Sequence, residues 1–355
     1  MKTQNINIQK LMEDYNVSGL SIAAIDGGNI RSTECFGLHE AATDKSVESN
    51  SIFCACSISK ILTSILVMKL TEQSILDLDE NVNEKLSSWK IPHNELNKNK
   101  KVTLRNLLSH QSGVIDPEGS FIELNSRIDN PTMVEILEGR TPYCKAPIEI
   151  KYEPGSTFQY FDAGFCIIQL LIEDVTGKPF KEVMNEHIFQ PLNMENSTFE
   201  LPTSEATKKY FSCGHNKSGE LVNGKYPTYP YPAASGLWTT PTDLALLVIE
   251  LMNSLNGESK LKLSVSKAIE VINSQGCKEW TGLGVFLDKN EKGIEISSLG
   301  WGVGFQCMMV AYPYLETGLV IMINTDLGVH QLKGIIGEVY NVILFKYLLF
   351  NKQGL

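Results

Sequence analysis

Apolar residues at helical spacing open the chain. Ile8, Leu11, Met12 and Tyr15 recur at steps of three and four and predict a short amphipathic helix. The period then changes: Gly19 to Ile25 and Asn29 to Phe36 are apolar runs around Asp26-Gly27-Gly28, the Asp-Gly mark of a β-hairpin. From Ser57 onward Ile58, Ile61, Leu62, Ile65, Leu66 and Leu70 fall on one helical face. Residues from about 75 to 240 mix short helical patterns with Pro- and Gly-rich connections, such as Glu153-Pro154-Gly155. The best helix there runs from Ala163 to Val175 and stops at Gly177. Another starts near Pro241, with Thr240 placed as its cap. Strand patterns return at Gly282 to Leu287, Ile294 to Leu299, Phe305 to Tyr312 and Gly318 to Ile323, and a helix from about Leu332 to Phe350 closes the chain. No internal repeat is visible. Strands at both ends with helices between them predict an α/β chain of α+β type. The pattern suggests a single antiparallel sheet, with the terminal helices over one face and a large helical insertion. A cleft between sheet and insertion is a usual place for a small molecule.

Composition narrows the function classes. The chain has 355 residues, 43% apolar and 20% charged, which is ordinary for a globular protein and excludes disorder, collagen and coiled coil. A net charge of −10 argues against nucleic acid, whose phosphates call for a Lys/Arg footprint. Apolar stretches fall far short of the roughly 18 residues of a membrane span. The eight cysteines (35, 54, 56, 144, 166, 213, 277 and 307) are dispersed, and buried free thiols are the default expectation for all of them. The start, Met1-Lys2-Thr3-Gln4-Asn5, lacks an apolar signal-peptide core, so a cytoplasmic location is expected. Neither a metal nor a cofactor is suggested by ligand spacing.

One short motif carries chemistry. Ser57-Ile58-Ser59-Lys60 has Ser-x-x-Lys spacing where the apolar helix begins, and positions three apart share a helical face. Lys60 Nζ can therefore reach Ser57 Oγ, a weak nucleophile until a base takes its proton. The helix N-terminus adds N–H groups suited to an oxyanion. Alone, the motif reads first as a capping serine and a solvated lysine.

Further segments change that weighting. Phe53 lies four residues before Ser57, and Leu76-Asp77-Leu78-Asp79 follows downstream. Val102 to Gly113 (VTLRNLLSHQSG), Tyr152 to Tyr160 (YEPGSTFQY) and Gly236 to Leu244 (GLWTTPTDL) come next in order. Together these resemble the serine β-lactamase and penicillin-binding-protein superfamily, in the class C β-lactamase-like branch with D-aminopeptidases and family VIII esterases. The resemblance spans about Val17 to Asn324 and implies one β-lactamase-like catalytic domain over residues 1–355, with an antiparallel sheet of about five strands. Its sheet lobe would take about 1–56 and 260–355, and its helical lobe about 57–259. It implies Ser57 as acylated nucleophile, Lys60 as proton acceptor and Tyr160 as the tyrosine that shuttles a proton. The third motif, Lys/His-x-Gly, lies six residues before a Gly-Phe pair; counting back from Gly304-Phe305 gives Ser298-Leu299-Gly300. The oxyanion hole would then use the N–H groups of Ser57 and Trp301. A register on Trp301-Gly302, similar to a motif of the esterases, has shorter spacing.

Two positions depart from the family pattern. Asp162 stands where the family has Asn, and Ser298 where it has Lys or His; with Gly300 these are the expected substrate-binding positions. His110 is read as a packed, hydrogen-bonded residue. Trp238, Tyr226, Tyr229 and Tyr231 fit cleft lining and plain packing equally. The expected activity is a serine hydrolase working through an acyl-enzyme on a small amide, short peptide or ester. Alternatives are acyl transfer to an amine or alcohol, and a catalytically weak ligand-binding homologue. Oligomeric state is not readable.

Overall fold

The structure, a computed structural model, describes residues 6–123, 131–202 and 204–345. Its first helix, α1 (Ile8–Asp14), precedes the hairpin of β1 (Gly19–Asp26) and β2 (Asn29–Gly37). Gly27 and Gly28 both take positive φ, as the tight turn requires. A two-residue strand, β3 (Phe53–Cys54), pairs with β4 (Trp238–Thr239) apart from the main sheet. Between them lie α2 (Ser59–Glu72), α3 (Leu104–Leu108) and α4 (Ala163–Thr176). After β4 comes α5 (Pro241–Leu255), whose Asp243 N–H donates to the Thr240 hydroxyl as the capping pattern predicts. The chain then forms β5 (Phe286–Asn290), β6 (Gly293–Gly302), β7 (Phe305–Tyr312), β8 (Thr317–Ile323) and α6 (Ile335–Tyr340).

The main sheet is antiparallel, with six strands in the order β2-β1-β8-β7-β6-β5, rather than about five. Alternation along its central strands sorts side chains into two cores. Leu20, Ile22 and Ala24 of β1, with Leu319, Ile321 and Ile323 of β8, pack against α1 and α6. The intervening Ala23, Ile25, Val320 and Met322 face the larger core with α2, α4 and α5. Both terminal helices therefore lie on one face. Every residue of β7 and β8 is buried, as strands covered on both sides must be.

Three expectations shift. The helix expected from Ser57 starts at Ser59, after a 3-10 turn over Cys56–Ile58. It is buried nearly all round rather than on one face: Thr63 and Ser64 spend their hydroxyls on the carbonyls of Ala233 and Leu283. The strand expected at Gly282 begins only at Phe286, because Gly284 takes φ +72° and rests on Ser64, while Gly282 lies so close to the Val271 carbonyl that a side chain would collide. The closing helix ends at Tyr340 and passes into a wider turn over Asn341–Phe345, and the rest of that expectation lies outside the described residues. Among the described residues no helix is long and apolar enough to cross a membrane.

Candidate active site

The junction of β3 and α2 sets the position of Ser57. Ala55 N–H donates to the Leu237 carbonyl (2.8 Å), which holds the end of β3 against the segment leading into β4. Cys56 then takes φ +48°, a left-handed conformation costing a side-chain-bearing residue about 1 kcal/mol or more. The Ser59 hydroxyl ties this turn: it donates to the Cys56 carbonyl (2.6 Å) and accepts from Leu237 N–H (3.0 Å). The sharp reversal leaves Ser57 half-buried at the head of α2 and opening into a cleft.

Lys60, one turn along α2, is buried. Its Nζ donates to Ser57 Oγ (3.1 Å), to Asp162 Oδ1 (2.5 Å) and to the Ala234 carbonyl (3.0 Å), so all three ammonium hydrogens have acceptors. Burial disfavours the charge, but the attraction of Asp162, then that of Tyr160, with a hydrogen bond to each, outweigh it and hold Lys60 above the ordinary lysine range. Lys60 is therefore a cation in the resting site. Its Nζ also sits 5.0 Å from the centre of the Tyr160 ring.

Asp162 is fixed from behind. It is the N-cap residue of α4, but its own carboxylate does not cap the helix. Asp116 does so instead, accepting from the N–H groups of Asp162 (2.8 Å) and Ala163 (2.8 Å). That frees the Asp162 carboxylate, with one-fifth of its side-chain surface exposed, to reach Lys60. Burial and then the charge of Asp162 push the Asp116 pKa up to about 6, against the opposing pull of the two N–H groups and Lys60.

Tyr160 is 39% exposed and stacks on His110, ring centres 4.4 Å apart. His110 is buried among Tyr160, Phe158, Phe161 and Phe165, and its Nδ1 accepts from Phe161 N–H (3.3 Å). Burial, then the Lys60 charge, hold it well below the usual histidine range, so it is a neutral packing residue. Ser298, on β6, is buried in the same cleft as Ser57, Lys60 and Tyr160. The cleft is narrow, with free volume for about one water.

Beyond Ser297, β6 has no β5 partner, so its stretch from Ser298 onward presents an unpaired strand edge beside the cleft. A Cβ on Gly300 would collide with the Ala55 carbonyl and the Cys307 thiol, so its lack of a side chain lets β6 lie directly on the residue before the nucleophile turn. Trp301 is 45% exposed, and its indole N–H donates to Asp326 (2.7 Å). Neither Gly300, Trp301 nor Asp162 lines the described cleft with its side chain. Trp238 and the three tyrosines resolve as packing. Trp238 is buried among Phe211, Tyr226 and Phe305, Tyr231 donates to the Ile122 carbonyl, and Tyr229 accepts from Val303 N–H.

A family model described as Beta-lactamase matches residues 6–334. The chain belongs to the beta-lactamase family. It is 27% identical to a penicillin-binding protein of Bacillus subtilis over 345 residues, 90% of this chain and 70% of that protein. It is 21% identical to Protein flp of Staphylococcus aureus over 275 residues, 75% of this chain; it spans about half (51%) of that protein's length. A class C beta-lactamase structure superposes with a TM-score of 0.70 at 19% identity, covering 90% of each chain. That likeness is one of fold: an antiparallel sheet flanked by helices.

Within this beta-lactamase fold, sequence reasoning passed over two residues that shape the site. Asp116 follows the Ser109–Gly113 segment by only three residues, but nothing local in the sequence ties it to the start of α4. Gln111, fully buried, reaches across to Gln275, Cys277 and Thr281 and so anchors the far wall of the cleft. Among the described residues no cluster of three or more His, Cys, Asp or Glu could hold a metal ion.

Proposed function

We propose that this protein is a serine hydrolase that cleaves a small ester, amide or short peptide through an acyl-enzyme on Ser57. The observation that carries the reading is the 3.1 Å bond from the buried Lys60 ammonium to Ser57 Oγ at the mouth of the cleft. Because Lys60 is already protonated, it is a donor rather than the first proton acceptor. It lowers the cost of developing negative charge on Ser57 Oγ and on a neighbouring phenolate. The Tyr160 hydroxyl then relays the proton: its oxygen takes the proton of Ser57 as Oγ bonds to the substrate carbonyl carbon, while its own proton moves to the leaving-group atom. The carbonyl oxygen, now an oxyanion, lies on the N–H groups of Ser57 and Trp301. Collapse expels the leaving group with that proton. Water repeats the sequence on the acyl ester, giving its proton to Tyr160 and releasing the acid and free Ser57.

The same electrostatics set a substrate preference. Lys60 is neutralised by Asp162, His110 is uncharged, and Ser298 offers a hydroxyl where the family has a cation. Charge-assisted hydrogen bonds are roughly twice as strong as neutral ones, so the cleft favours neutral or cationic esters and amides over carboxylate-bearing β-lactams. Efficient turnover of penicillins would contradict that preference. The acyl-enzyme itself is tested by a serine-directed phosphonate: intact mass should rise by one adduct in the wild type and not in Ser57→Ala. Equal labelling of both would remove Ser57 from the mechanism.

The Lys60–Asp162 pair also favours a second reading, a slow or ligand-binding homologue. A resting ion pair this short withholds the lysine from base catalysis. Absence of any adduct across the pH range would favour that reading.

A further inference from the structure

We infer that Cys54 and Cys56 form a redox switch on the nucleophile turn: oxidation joins them in a disulfide, the turn moves, and Ser57 loses its placement; this rests on Ser57 being the nucleophile. The two sulfurs are in contact, 3.6 Å apart, with only Ala55 between the residues. A disulfide needs about 2.0 Å, so a closure of about 1.6 Å joins them. Cys56 immediately precedes Ser57 and already holds φ +48°, a conformation that persists only where its surroundings impose it. The bond would therefore form inside the turn on which the nucleophile depends.

Ala55 makes that closure consequential. Its N–H donates to the Leu237 carbonyl (2.8 Å), and its carbonyl accepts from the Cys307 thiol (3.2 Å) and from Ile58 N–H (3.1 Å). With the middle residue pinned at both ends, drawing the sulfurs together must rotate the backbone on either side of it. On the Cys54 side that backbone is β3, paired with Trp238 and Thr239 of β4. On the Cys56 side it is the 3-10 turn, tied by the Ser59 hydroxyl on the Cys56 carbonyl, and this turn carries Ser57. The left-handed side is the one that yields.

Cys54, Cys56 and Cys307 are all buried. Gly302, half-buried on the end of β6 that β5 leaves unpaired, lies against Cys56. A Cβ there would stand 2.7 Å from the sulfur, so the cover at this point carries no side chain. That suits a small oxidant, hydrogen peroxide, rather than a protein partner. The hydrogen bond with Cys54, then burial, push Cys56 well above the usual thiol range, so it rests as a thiol. Attack needs the thiolate, so the pair answers slowly, to sustained oxidant. Cys56 Sγ takes an oxygen from the peroxide as the O–O bond breaks, giving a sulfenic acid and one water. Cys54 Sγ then forms the S–S bond and expels a second water. Two thiols lose two hydrogens, and one peroxide becomes two waters.

The test holds the reduced full chain in excess hydrogen peroxide. Trypsin releases residues 46–60 as one peptide with Cys54, Cys56, Ser57 and no other cysteine. After thiol blocking, this peptide should remain unblocked and be about 2 Da lighter than its reduced form. Phosphonate labelling of Ser57 should slow about tenfold or more, and a thiol reductant should restore both readouts. Cys54→Ala, and the closer-sized Cys54→Ser, should label like reduced wild type and keep that rate in peroxide. A link from either cysteine to Cys307, oxidation to sulfonic acid without the disulfide, or a disulfide that leaves labelling unchanged overturns the inference. Equal inactivation of the Cys54 variants does so too. If reduced wild type never takes the phosphonate, the hydrolase reading fails by itself. The switch is then read from hydrogen exchange over residues 55–60, which should quicken on oxidation; unchanged exchange would end it.

Discussion

A lysine ammonium has three hydrogens, and Lys60 places one each on Ser57, Asp162 and the Ala234 carbonyl. The carboxylate is the largest of the partners that oppose burial and hold the charge on Lys60, with Tyr160 second. Asp162→Asn keeps an oxygen for Lys60 to donate to but removes the counter-charge. With that attraction gone, the Lys60 pKa falls. The proposed mechanism uses the Lys60 cation, so the alkaline fall of the acylation rate, where that cation is lost, should move to lower pH. A pH profile of acylation measured on both proteins checks this, and an unmoved profile would show that Asp162 does not hold the charge on Lys60. The sequence exposes this residue pair only as a substitution in a family pattern; the 2.5 Å contact depends on α4 lying across α2, which no local spacing encodes. Cysteines show the opposite balance. All eight are free, as dispersal predicts, but not all are buried: Cys35 is half-buried, and Cys277 is exposed because its segment is a surface connection tied down by Gln111 rather than part of the core.

At the scale of elements, the nucleophile turn and β6 are held in contact by an absent side chain. Gly300→Ala would push a methyl into the Ala55 carbonyl and the Cys307 thiol, so β6 must retreat from the turn that carries Ser57. Overpacking of this kind costs about 1–3 kcal/mol. A displacement near 1 Å at a reacting centre lowers rate by about 100-fold. Acylation should therefore fall far more than thermal stability does, and a variant with wild-type acylation would show that β6 does not help build the site. The elements themselves were largely legible: the hairpin, the helix stopped by Gly177, the Thr240-capped helix and the last three strands all follow from period and turn chemistry. What escaped was set by tertiary contact. Gly282 to Val285 reads as strand because its residues are small and apolar, yet close approach to α2 and Val271 bends it away. The face of α2 was misjudged for a similar reason: a helix enclosed on all sides retains polar residues when each finds a carbonyl, and a one-sided pattern cannot announce that.

For the whole molecule, the carboxylates behind the site make stability depend on pH in a way that isolates Asp116. Its folded-state pKa, about 6, lies above the ordinary 3.8 of an aspartate. Between about pH 4 and 6 the folded chain thus binds a proton there that the unfolded chain has released, and raising the pH through this window weakens the fold. Asp79, held down first by its hydrogen bond to Arg105, works in the opposite sense: its contribution is present above the unfolded pKa and fades in acid. The observed profile sums such opposing groups, so wild type alone cannot display Asp116. Asp116→Asn can, because an amide oxygen still accepts from the start of α4 but does not titrate. Every other group is common to both proteins. Melting temperatures compared at pH 4.5 and pH 7 should show the variant gaining on wild type as the pH rises, by on the order of 2 kcal/mol across the window. A constant difference between the two proteins would mean that Asp116 is ionised throughout, and that the strain of two neighbouring carboxylates beside one lysine is relieved elsewhere in the site.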